Sequence, residues 1–267
     1  MFLEENRYHV PVIVSTGRIL QYLSNHENQK SSLSEISQAL NISKSTCFRI
    51  LRTLEDMNYV SYDKQSKRYS LGSYLIVLGS RALEQLDYLT LGKKYLRAIT
   101  QETGFTTAIV QKVGMDRVAY ISKEEADSAV RLSVNVGRQF HITKVSYGKC
   151  FLAFAPEKER MDILSKGLEK LTNNTITDID AYLDELNLVR KRGYATSNEE
   201  YIRGINAVSA PVFRPDGQVL MVICCLAISS HFPEEKMHEI GRKLAATAKE
   251  LTKQLDGRLP DSMIESD

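Results

Sequence analysis

The stretch that begins at Ser32 constrains the fold most, because it places helix caps and turn residues at very short separations. Ser32 followed three residues later by Glu35 has the form of a capping box, which predicts the start of a short helix. Asn41 tolerates the left-handed conformation that ends helices, and Ser43 is a good N-cap for a second helix that runs to about residue 58. Two helices joined by so short a turn form a helix-turn-helix.

Strand signals follow the second helix. Residues 59–62 and 68–71 have the composition of short strands, and the polar residues between them predict a hairpin. A hairpin directly after a helix-turn-helix is a wing. The sequence therefore predicts a winged helix-turn-helix, whereas a basic surface helix alone would also fit an ordinary helical domain.

The second helix and the wing carry the two kinds of side chain that a DNA reader needs. Short polar side chains reach base edges, and cations hold phosphates. We predict that the DNA-binding residues are Lys44, Ser45, Thr46, Phe48, Arg49, Arg52, Lys64, Lys67 and Arg68. Within this set, we expect the three cations of the wing to contact phosphate.

Composition restricts the class of protein. The chain has 267 residues, enough for two ordinary domains, and its net charge of only +2 requires any DNA-binding charge to be local. It has no apolar run that could cross a bilayer and no signal-peptide pattern, so we expect a cytoplasmic protein. We expect reduced core thiols, no metal and no cofactor, because metal-ligand spacing is absent among Cys47, Cys150, Cys224 and Cys225.

An apolar stripe at helical spacing lies beyond the wing, within residues 74–89. It is formed by Leu75, Leu78, Ala82, Leu86 and Leu89. Such a stripe can pack on its own domain or against a second subunit. Dimeric DNA-binding proteins need an element that sets half-site spacing, and we therefore expect at least a dimer, with dimer or tetramer left open.

From residue 105 the apolar pattern changes from helical to alternating. We expect strands at residues 105–113, 117–122, 129–134, 194–197, 206–213 and 218–229, and helices at residues 91–103, 146–155, 157–166, 178–191 and 234–254. The two ends, residues 1–10 and 260–267, are expected to be loose. Strands interspersed with helices and joined by hairpins predict an α+β domain with a mainly antiparallel sheet.

The DNA-binding half resembles the IclR family of bacterial transcriptional regulators. The resemblance rests on the run KSTCFR at residues 44–49 and on Leu54-Glu55, Tyr59-Val60 and residues 68–72. The family often has His where this chain has Phe48. The family's base contact therefore does not carry over to Phe48, which would touch a thymine methyl or shield the domain surface.

The second half resembles the effector domain of the same family. The matching residues are Val136-Gly137-Arg138, Gly148-Lys149, Leu152-Ala153, Glu157, Glu159, Arg160, residues 192–195, Glu199-Glu200, Gly204, Ala210-Pro211 and Asp216-Gly217. The resemblance implies a GAF-like fold that binds a small organic ligand, often a carboxylate or an aromatic metabolite. It also implies that the ligand changes how a dimer or tetramer holds DNA.

The resemblance further implies a set of effector-binding residues, namely Ser146, Tyr147, Ser197, Ala207, Cys224 and Leu226. Family members that bind small acids tend to have Asp, Cys and Ser at the last four positions. Those positions are mostly less polar here, and Thr143 stands where the family often has His, which implies either a ligand larger or more apolar than a short oxoacid or a pocket without function. The first amides of the helix at residue 146 favour an anionic group on that ligand. Plain sheet core is the alternative for Cys224 and Leu226.

Together these features predict a division into a winged helix-turn-helix (residues 1–73), a linker helix (74–90), a GAF-like effector domain (91–257) and a tail (258–267). The predicted function is a ligand-responsive DNA-binding regulator, a repressor, with operator DNA, a small organic acid and a second copy of the chain as partners. The alternatives are a catalytic GAF-like protein with a DNA-binding appendage and an architectural DNA binder without an effector. We expect no enzyme, because the sequence has no nucleophile–base set, phosphate loop or metal cluster.

Overall fold

The computed structural model describes residues 10–84, 87–127 and 131–263. The chain divides into two compact units, residues 1–86 and residues 87–267. Among the described helices, none combines the length and the apolar character that crossing a membrane requires.

The N-terminal unit is a helix-turn-helix followed by a hairpin. Its elements are α1 (Pro11–Ser24), α2 (Leu33–Leu40), α3 (Lys44–Asp56), β1 (Val60–Asp63), β2 (Arg68–Leu71) and α4 (Tyr74–Glu84). Apolar side chains of α1, α2, α3 and the hairpin form one core, built from Ile19, Leu23, Ile36, Cys47, Ile50, Leu51, Leu54, Val60 and Tyr69. This arrangement confirms the predicted winged helix-turn-helix.

The predicted caps form as expected. The Ser32 amide donates to the Glu35 carboxylate at 2.6 Å, and the Glu35 amide donates to the Ser32 hydroxyl at 3.3 Å, which completes the capping box of α2. Asn41 ends that helix in the left-handed conformation, with φ 52°. The Ser43 hydroxyl caps α3 by accepting from the Thr46 amide at 3.2 Å. Local sequence signals therefore fix both helices and the turn between them.

The C-terminal unit is built on an antiparallel sheet with helices on both faces. Its elements are α5 (Asp87–Thr103), β3 (Thr106–Lys112), β4 (Arg117–Glu124), β5 (Gln139–His141), α6 (Ser146–Ala153), α7 (Glu157–Leu164), α8 (Ile179–Arg192), β6 (Ala195–Asn198), β7 (Ile205–Phe213), β8 (Val219–Ile228) and α9 (Glu234–Gln254). The strand order is β5-β4-β3-β8-β7-β6, and every described pairing is antiparallel. The expected α+β class is confirmed.

The two faces of this sheet carry different helices. Helices α5 and α9 pack on one face, and α6, with α8 outside it, packs on the other. The side chains of β7 and β8 alternate between the faces. Cys224 accordingly belongs to the core on the α6 side, while its neighbour Cys225 faces α5, where the Thr103 side chain hydrogen-bonds to it. All four cysteines are buried free thiols.

The structure corrects the expectations from the sequence at four places. Leu86 of the predicted stripe lies outside the described part of the chain, and Leu89 is buried in the C-terminal unit rather than lying on the linker stripe. Residues 131–134 are not a strand, and residues 128–130 lie outside the described part of the chain. The short strand β5 was not predicted. The tail is not loose throughout, since a short 3₁₀ helix, Asp261–Met263, buries its methionine; residues 264–267 lie outside the described part.

Candidate DNA interface and ligand cavity

One side of α3 presents the predicted DNA-reading residues to solvent. One stripe of the helix carries five exposed residues at successive steps of one and three positions, namely Lys44, Ser45, Phe48, Arg49 and Arg52. Phe48 is 47 % exposed although it is aromatic. The buried stripe on the opposite side holds this face outward.

Hydroxyl groups cluster at the start of α3. The Ser43 hydroxyl donates to the Thr46 hydroxyl at 2.9 Å and lies 3.2 Å from that of Ser45. Because the cap already satisfies the Thr46 amide, the cluster leaves exposed hydroxyl oxygens beside Lys44 at the positive end of the helix dipole. This is chemistry suited to phosphate oxygens and base edges.

The two arginines of the stripe differ in their partners. The Arg52 guanidinium donates to the Glu55 carboxylate at 2.9 Å, one turn further along the helix. The Arg49 guanidinium has no ion pair or hydrogen bond among the described residues. Arg49 therefore has its full set of donors to offer to DNA, and Arg52 does not.

The tip of the wing is ordered by an aspartate. The Asp63 carboxylate accepts from the Gln65 amide at 2.9 Å and from the Ser66 hydroxyl at 2.6 Å, and these bonds lower its pKa. Lys64 and Lys67 stand exposed on the resulting turn, and Lys67 adopts the left-handed conformation with φ 55°. The turn thus presents two cations at the tip.

Arg68, which the sequence predicts to contact phosphate, has partners within the domain. Its guanidinium donates to the Lys30 carbonyl at 2.6 Å and to both Glu35 carboxylate oxygens at 3.1 and 3.3 Å. These bonds join the wing to the start of α2. Arg68 is a tether within the domain, and its partners are too distant in the sequence for the pattern to have indicated them.

A cavity of about 560 Å³, part of it open to solvent, lies in the C-terminal unit between the α6 face of the sheet and the loop after β6. Its lining is mostly apolar. The residues that line it are Tyr120, Leu132, Ser133, Val134, Arg138, Phe140, Val145, Ser146, Tyr147, Ser197, Tyr201, Ile202, Ile205, Ala207 and Leu226. Five of the six predicted effector residues are among them.

Cys224 is the sixth predicted residue, and it does not line the cavity. It pairs with Ser209 across β7 and β8, and the Ser209 hydroxyl lies 2.8 Å from that of Ser146 at the start of α6. The helix start therefore covers this position. Cys224 is fully buried core, and burial raises the pKa of its thiol well above the ordinary value.

The start of α6 forms one wall of the cavity. Val145, the residue before the helix, supplies no side-chain cap, and the amides of Ser146 and Tyr147 precede the first intrahelical bonds. The Ile142 carbonyl presses against Gly148 so closely that a Cβ atom there would lie 1.6 Å from the oxygen. Only glycine permits this approach, which fixes the direction in which the helix enters.

Four aromatic rings form a further part of the wall, and Tyr147 is the one that the sequence predicted. Tyr120, Phe140, Tyr147 and Tyr201 lie with neighbouring ring centroids 5.2 to 5.7 Å apart. The Tyr147 hydroxyl donates to the Tyr120 hydroxyl at 3.2 Å, and burial raises the pKa of both phenols. These rings come from four separate segments, so no local signal could have grouped them.

A buried ion pair holds the loop that carries Tyr201. The Lys149 ammonium, 1 % exposed, donates to the Glu200 carboxylate at 2.7 Å and to the Thr196 carbonyl at 2.9 Å. Burial raises the pKa of Glu200 although Lys149 opposes this. The neighbouring carboxylate, Glu199, accepts from the Gly204 amide at 2.8 Å. Both carboxylates of this acidic pair are therefore structural.

Comparison with known proteins identifies the family. The family model described as the bacterial transcriptional regulator IclR C-terminal domain matches residues 80–253, and the IclR helix-turn-helix domain matches residues 16–64. The chain belongs to the IclR family. The resemblance noted from the sequence is thereby confirmed.

Curated and solved IclR-family members match over most of the chain. The transcriptional regulator KdgR of Escherichia coli (strain K12) is 31% identical over 92% of this chain and 93% of its own length. The transcriptional repressor AllR of Klebsiella pneumoniae is 29% identical over 88% of this chain and 86% of its own. The crystal structure of an IclR transcriptional regulator from Alicyclobacillus acidocaldarius is 38% identical, covers 93% of this chain and 100% of its own, and superimposes with a TM-score of 0.84.

These matches assign the biochemical class. The family and the relatives are DNA-binding transcriptional regulators, so this IclR-family chain is a regulator and not an enzyme. The catalytic alternative raised by the sequence is thereby set aside.

Proposed function

We propose that this IclR-family regulator is a repressor that releases its operator when a small organic acid occupies the cavity. The observation that carries the proposal is the cavity itself, which lies in a unit separate from the helix-turn-helix. An architectural DNA binder has no need of such a space. A protein that acts on DNA works where the DNA is, and we place it in the cytoplasm.

The proposed DNA contacts come from the exposed stripe of α3 and from the wing tip. Lys44, Ser45, Thr46 and Arg49 would enter the major groove, with Arg49 as the principal base contact because its guanidinium is unpaired. Lys64 and Lys67 would hold phosphates. We assign Arg52, Phe48 and Arg68 supporting roles, since Arg52 and Arg68 already have partners and Phe48 has no polar atom in its side chain.

The proposed ligand site uses the start of α6. The free amides there and the Ser197 hydroxyl, which has no hydrogen-bond partner among the described residues, are donors that favour a carboxylate. Ser197 is only 4 % exposed, so its hydroxyl gains a partner chiefly from what enters the cavity. Ala207 and Leu226 supply apolar surface for the body of the ligand.

We further propose that the protein is a dimer, or a dimer of dimers, that pairs through α4. Ile76, Val77, Leu78 and Leu83 are each more than 40 % exposed on this helix, which is an unusual density of exposed apolar side chains. The double variant Leu78→Asp with Ala82→Asp places two charges on that surface, and burying them unpaired is costly. We expect the wild type to show at least twice the chain mass in light scattering and the variant to dissociate. A monomeric wild type would contradict the proposal.

The test of ligand control uses an operator selected from genomic fragments by the protein itself. Small carboxylic acids are screened by thermal shift, because a ligand that binds only the folded state raises its melting temperature. Acids that stabilise the protein are then added to the protein–operator complex in a fluorescence anisotropy assay. We expect at least one acid to release the DNA.

Ala207→Phe serves as the matched variant because it fills the cavity and leaves the helix-turn-helix unchanged. It should bind the operator as the wild type does and should ignore the acid. Release of DNA from this variant at wild-type acid concentrations would place the ligand elsewhere. Operator binding that no acid alters would favour the architectural alternative.

A further inference from the structure

Arg138 lies in the cavity wall without an anionic partner. Its guanidinium carbon stands 5.1 Å from the centroid of the Phe140 ring, and the guanidinium nitrogens make no hydrogen bond or ion pair with any described residue. No carboxylate is among the residues that line the cavity. An arginine held against an aromatic ring keeps its planar donors available, and those donors match a carboxylate in two-point geometry.

The hydroxyl groups of Tyr120 and Tyr147 supply a second hydrogen-bond donor beside Arg138. Tyr120 and Tyr147 share one hydrogen bond, which uses one of their two hydroxyl hydrogens whichever residue donates. The other hydrogen has no acceptor among the described residues, and both residues are at least 95 % buried and line the cavity. Buried polar groups are normally satisfied, so this hydrogen requires an acceptor from the ligand or from water.

The Arg138 guanidinium and the tyrosine hydroxyl lie apart from the donors at the start of α6, which are the helix amides and the Ser197 hydroxyl. Tyr120 and Phe140 belong to β4 and β5, whereas Ser197 and Ala207 belong to β6 and β7, and β3 and β8 lie between the two pairs. Tyr147 links the two groups, because its amide is at the helix start and its hydroxyl reaches Tyr120. The two groups are therefore about one tyrosine side chain apart, with apolar wall between them.

We propose that the cavity has two polar poles and takes an acid with oxygen-bearing groups at both ends of a flat apolar body. One carboxylate binds at the start of α6, which rests on the proposed function. The second anionic group binds Arg138 and the tyrosine hydroxyl. Arg138 is then a specificity-determining residue, which selects diacids over monoacids of the same body.

The test measures binding of four probes to the full-length protein by isothermal titration calorimetry. The probes are benzoate, terephthalate, 4-carbamoylbenzoate and phthalate. Terephthalate has its two carboxylates across a benzene ring, a span comparable to a tyrosine side chain, and phthalate has them adjacent. We expect terephthalate to bind about 10- to 100-fold more tightly than 4-carbamoylbenzoate, whose second group is neutral, and more tightly than phthalate.

Arg138→Met should remove the preference for terephthalate and leave benzoate affinity within about threefold, since the α6 pole is unchanged. Arg138→Lys should keep part of the preference because it keeps the charge but not the planar fork. Arg117→Met is the control, since Arg117 is an exposed arginine of the same sheet that does not line the cavity. It should bind all four probes as the wild type does.

Phenylalanine variants of Tyr120 and Tyr147 test the tyrosine hydroxyl donor separately from Arg138. Tyr120→Phe and Tyr147→Phe each leave one hydroxyl hydrogen for the ligand, so each alone should weaken terephthalate binding only slightly. The double variant removes the donor and should weaken binding by more than the product of the two single effects.

Two results overturn the inference and remain distinguishable. Equal affinity for terephthalate and 4-carbamoylbenzoate, or an unchanged preference in Arg138→Met, refutes the second pole and leaves the α6 site intact. If none of the probes binds, the flat-bodied acid class is wrong, while the thermal-shift screen with Ala207→Phe still decides whether the cavity controls DNA binding.

Discussion

The starts of α3 and α6 are the same structural element in opposite surroundings. Helix α3 begins at the surface with a serine cap, and its first turn is exposed. Helix α6 begins without a side-chain cap, and every one of its residues is buried. A helix start has unsatisfied amides in either case, but only the first of these two lies at the protein surface.

This difference explains what each helix can recognise. The exposed start of α3 satisfies the Thr46 amide with the Ser43 hydroxyl and presents side chains, which suits a large partner such as DNA. The enclosed start of α6 leaves amides for whatever enters the cavity, which suits a small anion. The burial of a helix start therefore decides whether it suits contact with a large partner or binding of a small ligand in a cavity.

The largest effect is expected where α6 enters the core. Gly148→Ala would drive a Cβ atom into the Ile142 carbonyl oxygen. Because the carbonyl and the Gly148 backbone are both packed in the core, neither can move away without a large cost in stability. We expect the C-terminal unit to lose at least about 3 kcal/mol of stability, measured by calorimetric unfolding.

Gly17→Ala provides the control for this glycine. A Cβ at Gly17 in α1 meets nothing within 4 Å, so the change should be neutral or stabilise by about 0.5–1 kcal/mol, as alanine does in helices. Similar unfolding temperatures for the Gly148 variant and the wild type would show that the α6 start has room to move.

At the α3 start the effects should appear in binding rather than in folding. Arg49→Ala should weaken specific operator binding by about 1–3 kcal/mol, because an unpaired guanidinium can make a two-point base contact. Arg52→Ala should cost less than about 1 kcal/mol, since Glu55 already holds that side chain. Anisotropy titrations of both variants test the ranking, and the reverse order would move the base contact toward the C-terminal end of α3.

A smaller effect is expected at the wing. Lys67→Ala should weaken binding to all DNA sequences alike and reduce the slope of log affinity against log salt by about 1. Gln65→Ala removes a neighbouring exposed side chain without changing charge and should leave the slope unchanged. Equal slopes for the two variants would remove the wing tip from the phosphate contacts.

The smallest effect concerns acid stability of the N-terminal unit. The hydrogen bond from the Ser32 amide, with the Arg68 charge as a weaker cause, lowers the pKa of Glu35 below its ordinary value of 4.5. A group with a lowered folded pKa stabilises fully above pH 4.5 and loses that contribution as the pH falls further. Glu35→Gln should therefore flatten the decline in stability below pH 4.5, measured by circular dichroism. Glu27→Gln, at an exposed position of the same unit, should leave the decline as it is.

The sequence predicted the N-terminal unit better because its signals are local. Each cap acts on a residue three or four positions away, so Ser32, Asn41 and Ser43 could be assigned from their neighbours. The role of Arg68 could not, because Glu35 and Lys30 approach it only after the hairpin has folded.

The cavity, in contrast, could not be predicted from local signals. Its predicted residues came from a resemblance to a family, whereas Tyr120, Arg138 and Phe140 are brought to it by sheet order. Leu132 and Val134 have the apolar spacing of a strand, but both line the cavity, as Ser133 between them also does, and residues 131–134 form no strand. The resemblance also included Cys224, which shares a sheet face with Leu226 but lies under α6 and does not line the cavity.

The attachment of the wing has a consequence for operators. Ser31 and Tyr69 exchange backbone hydrogen bonds of 3.0 and 2.8 Å, and Arg68 adds its bonds to Glu35, so the loop before α2 becomes a third strand-like edge of the hairpin. The reading helix and the wing cations thus keep a fixed separation before any DNA arrives, and little ordering entropy is lost on contact. In the proposed dimer, operators whose half-sites differ in spacing must then be accommodated outside residues 31–71.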